Sequence, residues 1–113
     1  MRAAFHRMLT DIVYHAPFLD DDASGAPPTF GPVVRRRCRI ERGNFNVLNA
    51  QGQEVPTKNR IFLDGSVTID PRDRLVLDVD APTIEDVERA SPIMALAVQR
   101  EPHGVIHHVE VWC

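Results

Sequence analysis

Proline and glycine interrupt this chain so often that long helices have no room. Nine prolines and six glycines are spread over 113 residues, and Asn and Asp punctuate much of what lies between. Proline lacks a backbone donor and fixes φ, whereas glycine and the Asx residues favour turns. The apolar runs left between these breaks are short and rich in Val, Ile, Leu and Phe, residues that suit a pleated strand. The expected fold class is therefore mainly β: a small β-barrel or a strongly bent antiparallel sheet, with long loops and at most one or two short helical turns. Closure or strong bending is how small all-β domains remove exposed edges.

A chain of this length holds one core, so residues 1–113 are expected to form a single β-barrel domain. Its 43% hydrophobic and 26% charged residues are those of an ordinary globular protein rather than a disordered one. No apolar run is long enough to span a bilayer, so no membrane partner is expected, and residues 1–15 lack a secretory apolar segment. Synthesis inside the cell is the expectation, with Cys38 and Cys113 as free thiols.

Alternation reads residues 8–14 as a first strand, with a helical turn at 2–9 as its rival. Residues 17–32 hold four prolines, two glycines and three consecutive aspartates, an exposed loop. Residues 33–41 alternate Arg35, Arg37 and Arg39 on one face with Val34, Arg36, Cys38 and Ile40 on the other, a half-buried strand with an outward arginine ladder. Residues 43–58 are polar and read as a long mobile loop. A β-meander follows: strands at 60–63, 66–69 and 73–79, turned at Asp64-Gly65 and Asp70-Pro71. Thr83 and Asp86 have the spacing of a reach-back helix cap over 83–90, with Ile84 and Val87 on one face; Pro92 stops it. Two further strands cover 93–100 and 107–112.

Catalysis finds little to build on, and no enzyme is expected. Ser24 and Ser66 lie in turn contexts without a nucleophile elbow, no glycine-rich phosphate loop precedes a helix, and the acids follow no calcium-loop spacing. His103, His107, His108 and Cys113 are ligand types within eleven residues. However, His107 and His108 are adjacent in a strand and face opposite sides unless a bulge intervenes, and no Cys-x-x-Cys accompanies them, so neither metal nor cofactor is expected. Charge is the more informative pattern. Net charge is −3, yet residues 35–42 read RRRCRIER while residues 64–90 hold eight acids against three arginines. Such asymmetry suits pairing between copies, with Arg35, Arg37 and Arg39 on one side, Asp78, Asp80 and Glu85 on the other, and Trp112 as an anchor. A basic strip on a small β domain also suits single-stranded nucleic acid, although no aromatic residue is interleaved with these arginines in the sequence.

From residue 8 onward the chain resembles the head-closure, or head-to-tail stopper, proteins of long-tailed bacteriophages and related prophage neck proteins. The resemblance is carried by MLTDIVY, TFGPVVRRRCRIE, EVPTKNRIFLDGSVTIDPRDRLVLD and PIMALAVQREPHGVIHHVEVWC. It implies a β-barrel subunit of a ring, made in the bacterial host cytoplasm and located in the virion neck, at the head–tail interface. There the ring closes the DNA channel and gives the tail its docking surface. Its implied partners are further copies, a portal or adaptor above, a tail-completion or tail-terminator protein below, and packaged DNA. By position, the 43–58 segment would face the channel, through Asn44, Phe45, Asn46, Val47 and Leu48, then Asn49, Gln51, Gln53, Glu54 and Lys58. The acidic stretch at 83–90 is longer than that family's turn. Tail-completion and tail-terminator proteins are the neighbouring alternatives within the neck.

Overall fold

The computed structural model describes residues 9–19, 28–104 and 106–113. The rival helical turn at 2–9, the start of the first expected strand and the centre of the 17–32 loop fall at least in part outside them. Among the described residues eight strands and one helix form: β1 (Asp11–Ala16), β2 (Phe18–Leu19), β3 (Thr29–Phe30), β4 (Val34–Leu48), β5 (Glu54–Asp64), β6 (Arg74–Val76), α1 (Ile84–Arg89), β7 (Ala95–Arg100) and β8 (Ile106–Trp112). Six strands make one bent antiparallel sheet in the order β6-β1-β4-β5-β8-β7, and β2 pairs with β3 apart from it.

The sheet is not closed, which corrects the barrel expectation. β6 and β7 are its two edges. Only an isolated bridge, Arg74 to Pro92, links β6 to the residues leading into β7. Proline has no N–H to extend such a ladder, so pairing stops at one rung.

Alternation explains which face is buried. On the concave face Val13, Cys38, Ile61, Leu63, Val109 and Val111 meet Ile69, Leu75 and Cys113 in one core cluster. Ile61, Leu63, Leu75, Val13 and Val111 are fully buried, each apolar side chain contributing roughly 1.5–3 kcal/mol. A smaller cluster lies where α1 packs: Ala16, Val76 and Val87, with Tyr14, Phe30, Val33, Val79 and Ala90 against them. The expected cap is present. Thr83 N–H donates to Asp86 Oδ2 at 2.8 Å, and Asp86 N–H donates to Thr83 Oγ1 at 3.4 Å. Val87 is buried, but Ile84 is 64% exposed, so the short helix buries one of the two apolar residues expected on its inner face.

Two segment readings are overturned. Residues 43–58 are not a loop: β4 runs on to Leu48, β5 starts at Glu54, and the two pair as a hairpin ribbon. Asn49 shapes its turn, with Oδ1 accepting the N–H groups of Gln51 and Gln53 at 3.0 and 2.9 Å, and Gly52 takes φ +76°. Polar residues line much of both faces, so no hydrophobic alternation advertises these strands. The meander is also absent. β5 pairs with β4 and β8, β6 pairs with β1, and residues 66–69 form no strand. That segment follows the fold by another route: Val67 and Ile69 pack into the core, while Asp64 caps the turn by accepting Ser66 N–H at 3.1 Å.

Candidate assembly surface

The convex face of the sheet is built by cross-strand register. Arg35 lies opposite Tyr14, Arg37 opposite Ile12, Arg39 opposite Phe62 and Glu41 opposite Arg60. Arg60 in turn faces Trp112, and Phe62 faces Glu110. At the β1–β6 end α1 covers this face. On β4, β5 and β8 the side chains pack on one another, and Arg39, Phe62 and Trp112 stay at least partly exposed.

Arg60 is the centre of that cluster. Its guanidinium carbon lies 4.7 Å from the Phe62 ring centroid and 5.5 Å from that of Trp112. Its Nη2 is 3.2 Å from Glu110 Oε1 and its Nη1 3.6 Å from Glu41 Oε1. Glu110 is a carboxylate with only 9% of its side chain exposed, which is tolerable because Arg60 and His108 both contact it. Arg60 Nε is buried without a hydrogen-bond partner among the described residues. Aromatic residues and arginine on a half-exposed sheet face are the composition of an interface centre. Arg60, Phe62 and Glu110 were missed as candidates, although the alternation in RIFLD and VEVW places them on one face.

The expected interface residues are distributed differently. Arg35 is exposed and makes no ion pair among the described residues. Arg37 Nη2 donates to the Leu9 carbonyl at 3.0 Å, and Arg39 sits 3.8 Å from Glu41. Asp78 pairs with Arg42 at 2.7 Å, and Asp80 accepts the Tyr14 hydroxyl at 3.0 Å. These acids are thus engaged within the chain. Together they hold a bend in which Asp78 and Ala81 take φ +63° and +51°. Glu85 is exposed in the first turn of α1. Trp112 is the one expected anchor that joins the Arg60 cluster.

The channel-loop candidates lie on the ribbon. Phe45 and Val47 share one of its faces with Thr57 and Val55; Asn44, Asn46 and Leu48 share the other with Lys58, Pro56 and Glu54. Lys58 Nζ donates to Asn44 Oδ1 at 2.6 Å, and Thr57 Oγ1 donates to the Phe45 carbonyl at 2.9 Å. The register shifts between Arg42 and Phe45, where the ribbon leaves the main sheet. Its tip carries Leu48, 67% exposed, and faces Pro71, Ile93, Met94 and Leu96 across an apolar groove.

The histidines divide. His103 is exposed in the turn before β8, and Cys113 is buried in the core. His107 and His108 do meet, because Gln99 pairs with His108 while Arg100 pairs with Ile106, making His107 the extra residue of a bulge. The expectation that they face opposite sides fails at that bulge: their Nδ1 atoms are 2.7 Å apart. Among the described residues no three or more His, Cys, Asp or Glu side chains gather as a metal group. Burial pushes the Cys113 thiol up to about 11; burial, and then the charge of Asp11, push Cys38 up to about 12. Cys38 is opposite Leu63 and Leu63 opposite Val109, four residues short of Cys113. At about 3.4 Å per residue the thiols are too far apart along the strand alone to bridge.

No helix among the described residues is long and apolar enough to cross a membrane. Compared with family models and with curated proteins, the sequence matches none.

Proposed function

We propose that this chain is a structural subunit that acts by assembling with further copies and with neighbouring proteins. The form the sequence resemblance names is the neck ring of a tailed phage, between the portal or adaptor and the tail. The observation that carries the reading is the β4–β5 ribbon, a two-stranded arm that leaves the sheet at Arg42 and presents Leu48 at an exposed tip. Two-stranded arms outside a core do not stabilise a fold by burial, and an exposed apolar tip on a braced ribbon suits insertion against a neighbour. The half-exposed Arg60, Phe62 and Trp112 cluster supplies a second contact surface of interface composition. In the neck, the ribbon would face the channel and the convex face would dock adjacent subunits. Sedimentation of the purified chain with isolated phage connector complexes and tail tubes tests this: cosedimentation is expected. A chain that stays monomeric and binds neither connector nor tail tube overturns it.

One observation favours a second reading. Tyr14 and Phe62 stand directly opposite Arg35 and Arg39, supplying beside the arginines the aromatic rings that the linear sequence lacks. Cations interleaved with ring faces suit a single-stranded nucleic acid. Oligonucleotide binding that weakens steeply with salt and is lost in Arg35→Ala/Arg39→Ala supports this reading, and salt-independent or absent binding removes it.

A further inference from the structure

The sheet has two edges, and they differ. β6 spans three residues, and its outer side meets Pro92 at the Arg74 bridge. β7 spans six residues and pairs with β8 alone. Which of its backbone groups face outward follows from the ladder. Asn59 N–H donates to the Cys113 carbonyl at 3.0 Å and Cys113 N–H to the Asn59 carbonyl at 3.1 Å, so these two residues exchange both hydrogen bonds. Such pairs recur at every second residue. Val111 and Val109 therefore turn their N–H and C=O groups toward β5, and Trp112, Glu110 and His108 turn theirs toward β7. Across the β7 register the latter bond to Ala95, Ala97 and Gln99. Leu96 and Val98 are left with their N–H and C=O groups pointing out of the sheet, where no strand among the described residues pairs with them.

Nothing in residues 95–99 defends that edge. Natural sheets blunt an open edge with a charge, a proline, a bulge or a covering element. ALAVQ holds neither proline nor charge, the register shift comes only after Gln99, and Val98 is 42% exposed. We propose that β7 is an interaction edge whose partner is β7 of a second copy, joined antiparallel across a two-fold axis at Ala97. Open backbone donors and acceptors call for an extended strand, and β7 is complementary to itself. With Ala97 on the axis, Leu96 of each copy falls opposite Val98 of the other, and these two pairs, with two hydrogen bonds each, satisfy every outward group of both residues. Ala97 meets its own copy in the intervening pair, which lacks hydrogen bonds and brings side chains closest, a position suited to a small residue. Arg100, the one charge of the strand, falls opposite Met94, so no like charges meet. The edge uses neither Leu48 nor Arg60. It goes beyond the neck reading and can fail without it.

Sedimentation equilibrium of the full chain over a concentration series tests the proposal. A reversible monomer–dimer equilibrium is expected, with no larger species, because the two-fold pair occupies the open edge of both copies. Val98→Pro leaves the β7–β8 ladder intact, since the N–H it removes faces outward, and should weaken dimerisation roughly tenfold or more. The register has its own readout. Paired Ala97 Cα atoms would lie about 4.5 Å apart, within disulfide reach, so oxidised Ala97→Cys should give a covalent dimer. Gln99→Cys should not, because its two copies lie about 14 Å apart along the strands. Hydrogen exchange needs no variant to fold: in the unsubstituted chain the Leu96 and Val98 amides should gain protection as concentration rises, while the Ala97 amide is protected throughout. A chain that stays monomeric across the series, larger species, a dimer undiminished in Val98→Pro, or exchange at Leu96 and Val98 that ignores concentration overturns the proposal. So does protection that arises only when connector complexes are added, which would give the edge to a neighbouring protein's strand.

Discussion

His15 and Asp73, 58 residues apart in the chain, meet inside the protein with His15 Nε2 and Asp73 Oδ2 at 2.6 Å. Both residues are buried. Arg36 donates from Nε and Nη2 to His15 Nδ1 at 3.4 and 3.3 Å, which leaves the imidazole proton on Nε2, aimed at the carboxylate. Asp73 also accepts the N–H groups of Phe18 and Asp70 at 2.7 and 3.0 Å. One carboxylate therefore ties β1, the start of β2 and the 70–73 turn together.

Asp73→Ala removes that acceptor and strands three donors in or near the core. Each buried donor left without a partner costs roughly 1–3 kcal/mol, so the substitution should destabilise the fold by about 3 kcal/mol or more. Asp73→Asn keeps one acceptor oxygen and should cost distinctly less. Urea unfolding of both variants checks this, and equal losses would sink the tie-point role.

Arg60→Ala should be costly for a related reason, since among the described residues it leaves the enclosed Glu110 carboxylate with His108 as its ionic partner. Removing one partner of an enclosed pair costs on the order of 3–5 kcal/mol, less here because Arg60 is one-third exposed. Adding Glu110→Gln to Arg60→Ala should recover much of the loss. A double-mutant cycle reads the coupling directly.

Much of the architecture was legible because its cause is local. Ile61 and Leu63 alternate with Arg60 and Phe62, and Val109 and Val111 with Glu110 and Trp112, so the strands and their inward faces followed from period two. The Thr83–Asp86 cap likewise lies within one turn. The ribbon was hidden because neither of its faces is fully buried, and nothing in its composition separates a solvated strand from a loop. Sheet order was hidden because β5–β8 and β1–β6 join segments far apart in sequence. The His107–His108 contact depends on a bulge, which is a property of the paired strand and not of the dipeptide.

Acid should erode part of the stability through Asp70 and Asp86. Arg72, by its side chain first and then its N–H, holds the Asp70 carboxyl below its ordinary value; the Thr83 N–H first, and then its hydroxyl, do the same for Asp86. A carboxyl with a lowered folded-state value contributes stability that is present above its unfolded value and lost as pH falls through the folded one. Urea midpoints should therefore fall as pH drops below the ordinary carboxylate range. Asp70→Asn and Asp86→Asn should each flatten that slope, and an unchanged slope in both would contradict the assignment. At neutral pH, Thr83→Ala should cost about 1 kcal/mol by loss of the cap.

The two thiols should be silent in the native protein. Thiolate is the reactive form, and burial pushes Cys38 up to about 12 and Cys113 up to about 11, so little thiolate exists at pH 8. A thiol-disulfide reagent should label neither cysteine quickly under native conditions and both in denaturant. Fast native labelling would show that the core opens at β4 or at the end of β8.

Leu48 separates assembly from folding. It is 67% exposed, and its place at the ribbon tip means that little core packing depends on it. Leu48→Asp should therefore leave the urea midpoint within about 0.5 kcal/mol of the parent. If the ribbon inserts against a neighbour, the same change places a charge in an apolar contact and should weaken association at least tenfold, because a desolvated, unpaired carboxylate costs several kcal/mol. The control is Ser66→Asp, an exposed change on a turn away from the ribbon, which should leave association intact. Sedimentation with connector complexes or tail tubes reads both variants. Loss of binding in Leu48→Asp alone identifies the tip as the contact, whereas undiminished binding in Leu48→Asp would move the contact off the ribbon tip.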